Sequence, residues 1–251
     1  MRSGVAKMIR MLRWHSLCIV LILLVGCAQM TRPSQPLPKD PSLEELLVLY
    51  QREREAIPPL KGLMKVTITD SIDTGFWAKW RSWKGAIEID GFNLLGGTLF
   101  KLKLEGSEAS LVSAEDNFKG NRQALEQYLM AHHSEIRMEW LTLLDWVARG
   151  GLPDLSVPDR PALRKEADRK GSRHLVLSFP KQDIWIERKW LRIKDVVFHD
   201  LDDLVRIRFD DYRPVGKTAR GGRTTFPFFI KIEAQSRQME IVFKELKVMA
   251  E

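Results

Sequence analysis

Apolar and polar residues alternate along long stretches of this sequence, and this period of two constrains the fold more than any other feature. The alternation is clearest in Met64–Thr69, Phe76–Arg81, Ala86–Asp90 and Phe100–Glu105, with turn residues between these stretches. Successive side chains of a β-strand point to opposite faces of the sheet, so each stretch predicts a strand with one apolar and one charged face. A series of such strands joined by short turns indicates an antiparallel meander.

The same pattern predicts further strands in both halves of the chain. A fifth strand is expected at Ala109–Ser113, directly after the first four. Six more follow a helical middle region, at His174–Phe179, Ile184–Arg188, Leu191–Phe198, Val205–Phe209, Phe226–Glu233 and Met239–Val248. We therefore expect a mainly β protein, α+β in class, with about eleven antiparallel strands.

Three segments have helical rather than strand periodicity. Ser42 is placed to cap a first helix, which has acidic residues in its first turn and a pair of prolines after its end. Arg122–His132 predicts a second helix, and Ile136–Arg149 predicts a third that two glycines end. Pro158–Gly171 is predicted to be a charged connection to the second group of strands.

The N-terminus has the features of a secretory signal. The first 15 residues contain four basic residues and no acidic residue, and an apolar run from Leu17 to Val25 follows. This run is too short to cross a bilayer, which needs about 20 apolar residues. A basic start, a short apolar core and a small residue, Gly26, before the cleavage point predict a signal peptide of residues 1–26.

The end of this signal, Leu24-Val25-Gly26-Cys27, resembles the lipobox of bacterial lipoproteins. The resemblance implies cleavage before Cys27 and covalent attachment of diacylglycerol and an N-acyl chain to it, with no other cofactor. The alternative is an uncleaved anchor, or an ordinary signal peptide with a chance cysteine. Residues 27–41 contain four prolines and predict a lipidated tether, which leaves residues 42–251 as a single domain.

Charge and motif content exclude several classes of function. The formal net charge of +7 includes the four basic residues of the signal, and removing them leaves +3, too little to indicate nucleic-acid binding. If the signal is cleaved before Cys27 and Cys27 is lipidated, Cys18 leaves with the signal and no thiol remains for a disulfide or a metal site. The sequence contains no nucleotide-binding loop, dinucleotide fingerprint or nucleophile elbow. We therefore expect neither an enzyme nor a metal protein.

Large apolar side chains are concentrated on one face of the predicted sheet, and this face must be covered. Two arrangements fit: a core filled by the helices, or a curved and unclosed barrel that keeps an apolar cavity for a lipid chain. The residues expected to line such a cavity are Phe76, Trp80, Ile87, Ile89, Phe100, Leu102, Trp140, Leu144, Val176, Trp185, Ile193 and Ile207.

Six stretches occur in an order and spacing that cover nearly the whole chain after residue 60. They are Gly62–Val66, Trp80–Ile87, Asn93–Leu99, Trp146–Pro153, Phe226–Ile230 and Met239–Val248. In this arrangement they resemble LolB, the outer-membrane lipoprotein receptor family, and more distantly its soluble carrier LolA. The resemblance implies an unclosed antiparallel β-barrel, with helices as a lid over an apolar cavity that receives the acyl chains of lipoproteins.

The resemblance also implies a role for one loop. LolB exposes a leucine between two strands, in an Asn-Pro-Leu-Gly-like setting, and uses it in placing lipoproteins into the membrane. Asn93-Leu94-Leu95-Gly96 occupies the matching position, so Leu94 and Leu95 are the candidates for membrane insertion. Leu94 stands where the family has a proline. The alternative is that both leucines fold back into the mouth of the barrel.

A location and partners follow from the same resemblance. Ala28 rather than an aspartate follows the lipidated cysteine, and by the family's sorting rule this implies the periplasmic face of the outer membrane. The implied partners are acylated lipoproteins and a LolA-like periplasmic carrier, with the protein itself a monomer. A lipid-anchored structural or envelope-assembly protein, with a filled barrel and no lipid cargo, is the alternative.

Overall fold

A computed structural model describes residues 41–70, 73–132, 140–152, 161–167, 173–188, 190–199, 204–217, 223–234 and 237–249. The predicted signal peptide, Cys27 and nearly all of the predicted tether lie outside these residues, as do positions 136–139 of the third predicted helix. Among the helices described, none is both long and apolar enough to cross a bilayer.

Thirteen strands of the described residues form one antiparallel sheet. In chain order they are β1 (Leu60–Thr69), β2 (Thr74–Trp83), β3 (Ala86–Phe92), β4 (Thr98–Glu105), β5 (Glu108–Ser113), β6 (Asn117–Asn121), β7 (Ala162–Ala167), β8 (Arg173–Ser178), β9 (Gln182–Glu187), β10 (Arg192–Phe198), β11 (Val205–Lys217), β12 (Arg223–Ala234) and β13 (Arg237–Val248). Strands β1–β6 form one meander, β7–β13 form another, and the pairing of β1 with β13 joins them. The edge strands β6 and β7 do not pair, so the predicted mainly β, unclosed antiparallel architecture is confirmed.

Strands β6 and β7 are additional to the eleven expected, and both lie at an edge of the sheet. β6 has one large apolar residue, Phe118, which pairs with Leu111 of β5. β7 falls inside Pro158–Gly171, which was expected to be only a charged connection between the two groups of strands. An edge strand has one hydrogen-bonded neighbour and exposes much of its surface, so it needs few apolar residues and leaves a weak sequence pattern.

The strand registers separate the sheet into two chemically different faces. Trp80 pairs with Ile89, and Ile207 pairs with Ile232, and all four side chains are buried. We call the face that carries them the core face, and the opposite one the outer face. Successive side chains of a strand point to opposite faces. The register between neighbouring strands therefore decides which residues lie on the core face and which lie on the outer face.

Helix α1 (Leu43–Glu55) begins with the predicted cap. The Ser42 hydroxyl oxygen accepts a hydrogen bond from the Glu45 backbone N–H at 3.2 Å, and Glu45 Oε2 accepts one from the Ser42 backbone N–H at 2.9 Å. This reciprocal capping box satisfies two amides at the start of the helix. Leu46 and Tyr50 are buried against the sheet, so the helix packs its apolar side on the core.

Helices α2 (Arg122–His132) and α3 (Trp140–Ala148) follow the first meander, and α2 has the predicted bounds. After α3 the chain turns at Gly151, whose φ is +83° and whose backbone N–H donates to the Trp146 carbonyl oxygen at 2.8 Å. A Cβ on Gly151 would lie 2.9 Å from the ring of Phe209. Both the positive φ and the close approach to β11 therefore require glycine here.

Aromatic rings pack edge-on against one another on the core face of the central strands. The rings of Trp80 and Phe226 meet Phe243 at centroid distances of 5.9 and 5.4 Å. Trp80 is 1% exposed, and its Nε1–H donates to Ser82 Oγ at 3.2 Å. This part of the core face is filled by the protein's own side chains.

Replacing Trp80 with alanine removes a large buried ring, so we expect the free energy of unfolding to fall by about 3–5 kcal/mol. Urea denaturation followed by circular dichroism measures the loss. Trp77→Ala is the matched control because Trp77 lies on the outer face of the same strand and is half-buried. A loss for Trp80→Ala no larger than that for Trp77→Ala would show that Trp80 lines an open space instead.

Candidate functional site

Four apolar side chains at one end of the core face are only partly buried. Ile68 of β1 pairs with Met239 of β13, and the ring of Phe76 meets that of Phe100 edge-on at 5.4 Å. All four pack against the buried core while keeping accessible surface. We call Ile68, Phe76, Phe100 and Met239 the mouth cluster. Phe76 and Phe100 were expected to line a cavity, whereas Ile68 and Met239 were not named although their alternation placed them on the same face.

The opposite end of the same strands is covered. Leu60 of β1 and Leu104 of β4 have no exposed surface there. The Thr224 hydroxyl donates to the Ala56 carbonyl oxygen at 3.5 Å, which places the end of α1 over the start of β12. At the mouth-cluster end, in contrast, four large apolar side chains of the core face keep access from outside.

A glycine sets the position of one ring in the mouth cluster. Gly91 of β3 pairs with Phe100 of β4, and a Cβ on Gly91 would lie 2.4 Å from the Phe100 ring. The ring therefore lies directly over the glycine. Any side chain at position 91 would push Phe100 away from Phe76. The contact between the two rings therefore depends on glycine at this position.

Helices α2 and α3 are held to each other by two polar contacts. The Glu126 carboxylate accepts the backbone N–H groups of Trp140 and Leu141 at 2.7 and 2.8 Å, which satisfies two otherwise free amides at the start of α3. Arg122 Nη1 donates to both carboxylate oxygens of Asp145 at 3.0 and 2.8 Å. These contacts fix the two helices relative to each other independently of their packing on the sheet.

Helix α3 lies over the core face. The ring of Trp146 stacks on Phe198 of β10 with centroids 5.7 Å apart and planes 8° apart. Trp140 and Leu144, on the same helix, are partly buried against the core. A helix in this position can act as the cover that an apolar sheet face requires.

The residues expected to line a cavity fall into three groups in the structure. Four are partly buried at the mouth or on α3: Phe76, Phe100, Trp140 and Leu144. Six are buried in the core, between 0 and 8% exposed: Trp80, Ile87, Ile89, Leu102, Ile193 and Ile207. Two, Val176 and Trp185, lie elsewhere.

Val176 and Trp185 pair with each other on the outer face. The neighbouring pair, Leu175 with Ile186, lies on the core face and has no exposed surface. Because Leu175 to Leu177 are all apolar, the sequence does not indicate which of them point to the core face. A shift of the alternation by one residue moves every side chain to the other face. The expectation that Val176 and Trp185 line an interior cavity is therefore wrong.

Tyr50 places a polar group among the apolar side chains of the core. It is 1% exposed, and its hydroxyl has no hydrogen-bond partner in the described part of the chain. Burial raises its pKa well above the ordinary value of tyrosine, so the group stays neutral. In contrast, the Tyr212 hydroxyl donates to the Ile193 carbonyl oxygen at 2.8 Å. An oxygen of a water or ligand near Tyr50 would relieve a penalty of about 1–3 kcal/mol.

The charged groups near the mouth cluster form ion pairs on the surface. Arg237 and Asp70, which flank Met239 and Ile68, contact each other at 3.0 Å. Across the described ranges, no three His, Cys, Asp or Glu side chains lie close enough together to hold a metal ion. The chemistry that this end of the sheet offers is apolar contact.

The connection between β3 and β4, Asn93–Gly97, carries the two most exposed leucines of the described residues. We call it the leucine loop. Leu94 is 85% exposed and Leu95 is 96% exposed. The alternative in which both side chains fold back into the mouth therefore does not occur in the structure.

Hydrogen bonds from Asn93 hold the leucine loop in this form. Its Oδ1 accepts the backbone N–H groups of Leu95 and Gly97 at 3.0 and 2.9 Å. Its carbonyl oxygen accepts the Gly96 N–H at 3.0 Å, and its own N–H donates to the Gly97 carbonyl oxygen at 2.9 Å. Gly96 has a φ of +85°, a conformation suited to glycine. The loop is therefore ordered without the proline found in LolB-like sequences.

Solved structures with this fold exist at low sequence identity. A LolA superfamily protein from Nitrosomonas europaea superposes with a TM-score of 0.56 at 11% identity, over 82% of this chain and 94% of that one. A putative outer membrane lipoprotein-sorting protein domain from Vibrio parahaemolyticus gives 0.53 at 11% identity, over 81% and 90%. A DUF1329 family protein from Desulfovibrio piger gives 0.54 at 10% identity, over 82% and 91%. No family model and no curated protein matches the sequence. The chain thus has a LolA-like fold.

Asn93→Ala removes the side-chain acceptor of two loop amides, each bond contributing about 0.5–1.5 kcal/mol. We therefore expect hydrogen exchange at the Leu95 and Gly97 amides to become about tenfold faster or more. Hydrogen-exchange mass spectrometry of the loop peptide measures the change. Asn117→Ala, at an exposed position of β6, is the control and should leave the loop unaffected; equal exchange in all three proteins would contradict the assigned role of Asn93.

Proposed function

We propose that this protein is a lipid-anchored receptor that binds the acyl chains of lipoproteins at the mouth cluster and helps to place them in the outer membrane, without catalysing a reaction. The observation that carries the proposal is the leucine loop: two adjacent leucines, 85 and 96% exposed, on an ordered loop beside a partly open apolar end of the sheet.

Exposure of Leu94 and Leu95 is unfavourable in water and becomes favourable at a membrane. Taking a leucine side chain out of water is worth about 1.5–3 kcal/mol. The hydrogen bonds of Asn93 hold both leucines away from the protein's own core, so this stabilisation is not recovered within the described chain. Insertion of the loop tip among acyl chains would recover it. A loop held in this form needs little further ordering when it inserts.

The leucine loop and the mouth cluster are close along the strands. Phe100 follows the loop by three residues, so it lies within about 10 Å of the loop end at 3.3 Å per residue. A hydrocarbon chain held against Phe100 and Phe76 would therefore be near the bilayer surface when the loop is inserted. The distance that it must cross through water is short.

The energetics of acyl transfer suit a passive receptor. Each CH₂ group moved from water into an apolar site contributes about 0.8 kcal/mol, so even a partial contact with an acyl chain is substantial. A receptor that binds the chain better than a soluble carrier, but less well than the bilayer, passes it on downhill. No nucleotide is required for such a step, in keeping with the absence of a nucleotide motif from the sequence.

Anchoring at Cys27 is part of the same proposal. Two or three acyl chains on one cysteine hold a protein firmly at a membrane, whereas one chain gives only marginal binding. The prolines between Cys27 and Ser42 suit an extended tether. The proposed partners are acylated lipoproteins and a LolA-like periplasmic carrier, with the receptor acting as a monomer.

A second candidate function is favoured by the filled part of the core. Trp80 and Phe226 both pack against Phe243 and fill this part of the core face. A lipid-anchored envelope-assembly protein would need only such a filled sheet and a protein partner. Recovery of a stoichiometric protein partner without co-purified lipid would favour this candidate over the receptor.

Leu95→Glu tests the proposed receptor. A carboxylate at the loop tip opposes insertion, so we expect delivery of an acylated lipoprotein into vesicles to fall by at least about tenfold, while binding of the lipoprotein stays unchanged. Delivery is measured by transfer from a LolA-like carrier, and binding by displacement of a fluorescent apolar probe.

Val48→Glu is the matched control, because Val48 is an exposed apolar residue (60%) of a different element, α1. It should leave both delivery and binding intact. Equal delivery by the Leu95→Glu and parent proteins would exclude a role of the loop in membrane insertion. Failure of the parent protein to bind the probe would exclude the receptor function itself.

A further inference from the structure

A row of apolar side chains crosses the outer face of the sheet at the level of the leucine loop. Direct cross-strand pairs join Phe229 to Val242, Val242 to Lys65, Lys65 to Trp77 and Trp77 to Phe92. We call these five residues the outer row. Its four apolar members are half-buried, so each presents part of its surface to the surroundings instead of to the core.

The outer row is continuous with the leucine loop. Phe92 is the last residue of β3 and directly precedes Asn93. On the far side of the loop, Leu99 of β4 is 40% exposed, and Val112 of β5 is 48% exposed on the outer face opposite Lys101. Apolar surface therefore extends from β12 to β5, with the exposed leucines projecting from the same end.

The central strands of this apolar surface carry more basic than acidic residues. The strands β1–β4 carry six basic and three acidic residues: Lys61, Lys65, Lys79, Arg81, Lys101 and Lys103 against Glu88, Asp90 and Glu105. The acids are engaged, because Arg81 contacts Glu88 and Asp90, and Lys103 contacts Glu105. Among the described residues, Lys61, Lys65, Lys79 and Lys101 form no ion pair, and all four are exposed.

This combination suits a lipid surface better than a protein partner. The buried centre of a protein–protein interface is depleted in lysine, yet Lys65 stands in the middle of the outer row. Tryptophan and other aromatic residues concentrate at the head-group level of membranes, and lysine side chains extend from apolar surroundings to reach the phosphates. Unpaired lysines are attracted to anionic head groups at about 1 kcal/mol each.

We propose that the outer face around Trp77 and Phe92 lies on an anionic lipid surface, with Lys65, Lys79 and Lys101 contacting phosphate groups while the leucine loop inserts. The proposal rests on the membrane contact of the leucine loop in the proposed function. It adds an orientation, with the leucine-loop end of the outer face of β1–β5 against the head groups, and a requirement for anionic lipid.

Quenching of tryptophan by brominated lipid tests this orientation. The lipidated full-length protein is reconstituted into vesicles of brominated phosphatidylcholine, with and without 30 mol% phosphatidylglycerol. Comparison with Trp77→Phe isolates the signal of Trp77, which we expect to be quenched strongly in the anionic vesicles. Trp185→Phe is the matched control, since Trp185 is a half-buried tryptophan on the outer face of the distant strand β9, and it should not change the quenching.

The lysines are tested in the same vesicles. The double variant Lys65→Gln with Lys101→Gln should weaken binding of the outer face to the anionic vesicles, measured by Trp77 quenching, about 30-fold. This is roughly fivefold for each lysine. Lys61→Gln with Lys119→Gln is the matched control. Lys61 lies about 13 Å farther from the loop end than Lys65, beyond the screening length at 0.1 M salt. Lys119, on the edge strand β6, is level with Lys103, about 7 Å farther from the loop end than Lys101. The control pair should therefore have a clearly smaller effect than the Lys65 and Lys101 pair.

The outcomes separate this inference from the proposed function. Trp77 quenching that is absent, or equal with and without phosphatidylglycerol, overturns the orientation. If lipoprotein delivery into the same vesicles persists in that case, the receptor function stands without it. The orientation is supported if Trp77 is quenched in anionic vesicles and the Lys65 and Lys101 substitutions abolish this quenching. This holds whether or not cargo is delivered.

Discussion

The antiparallel pairing of β1 with β13 is the contact on which the rest of the structure depends. It runs from Leu60 opposite Val248 to Thr69 opposite Gln238 and joins the two meanders into one sheet. Each meander can form from local hairpins, whereas this ladder brings together strands that are far apart in the chain and must overcome the entropy of closing a long loop. Its register also places Met64, Val66 and Ile68 on the core face beside Phe243, Ile241 and Met239. We therefore expect the ladder to form late in folding and to fix both faces when it does.

Two surfaces with different chemistry follow from that register. The core face ends in the mouth cluster, where apolar side chains keep partial access, and the outer face carries Trp77 and Phe92 among unpaired lysines. The leucine loop lies where these two surfaces meet, because it connects β3 to β4 at the same end. In the proposed receptor, the core face contacts cargo and the outer face contacts lipid. The alternation of side chains along the same strands provides both surfaces.

Local pattern predicted much of the fold. The alternating stretches correspond to strands β1–β4. The cap at Ser42 and the glycines after α3 were also predicted correctly. The edge strands β6 and β7 were missed because a strand with one neighbour needs little apolar character. The faces of Val176 and Trp185 were assigned wrongly because three consecutive apolar residues fit either phase. In each case the missing information was the identity of the neighbouring strand.

The candidate site was less accessible to sequence reasoning. That Leu94 and Leu95 are exposed depends on the hydrogen bonds of Asn93, and the position of Phe100 depends on the missing side chain of Gly91. Neither follows from periodicity, because each depends on a specific contact across a turn or between strands. The isolated hydroxyl of Tyr50 is a further example: a buried tyrosine is predictable, and its lack of a partner within the described chain is not.

Native mass spectrometry of the protein, extracted in mild detergent from its own membrane, tests most directly whether the apolar core face holds hydrocarbon. We predict a population with the added mass of one acylated ligand, and a loss of that population in Ile68→Trp, which adds bulk to the mouth cluster. Val112→Trp, which adds bulk on the outer face, should retain it. A parent protein that carries no acylated ligand, even after incubation with an acylated lipoprotein, would contradict the proposed binding of acyl chains.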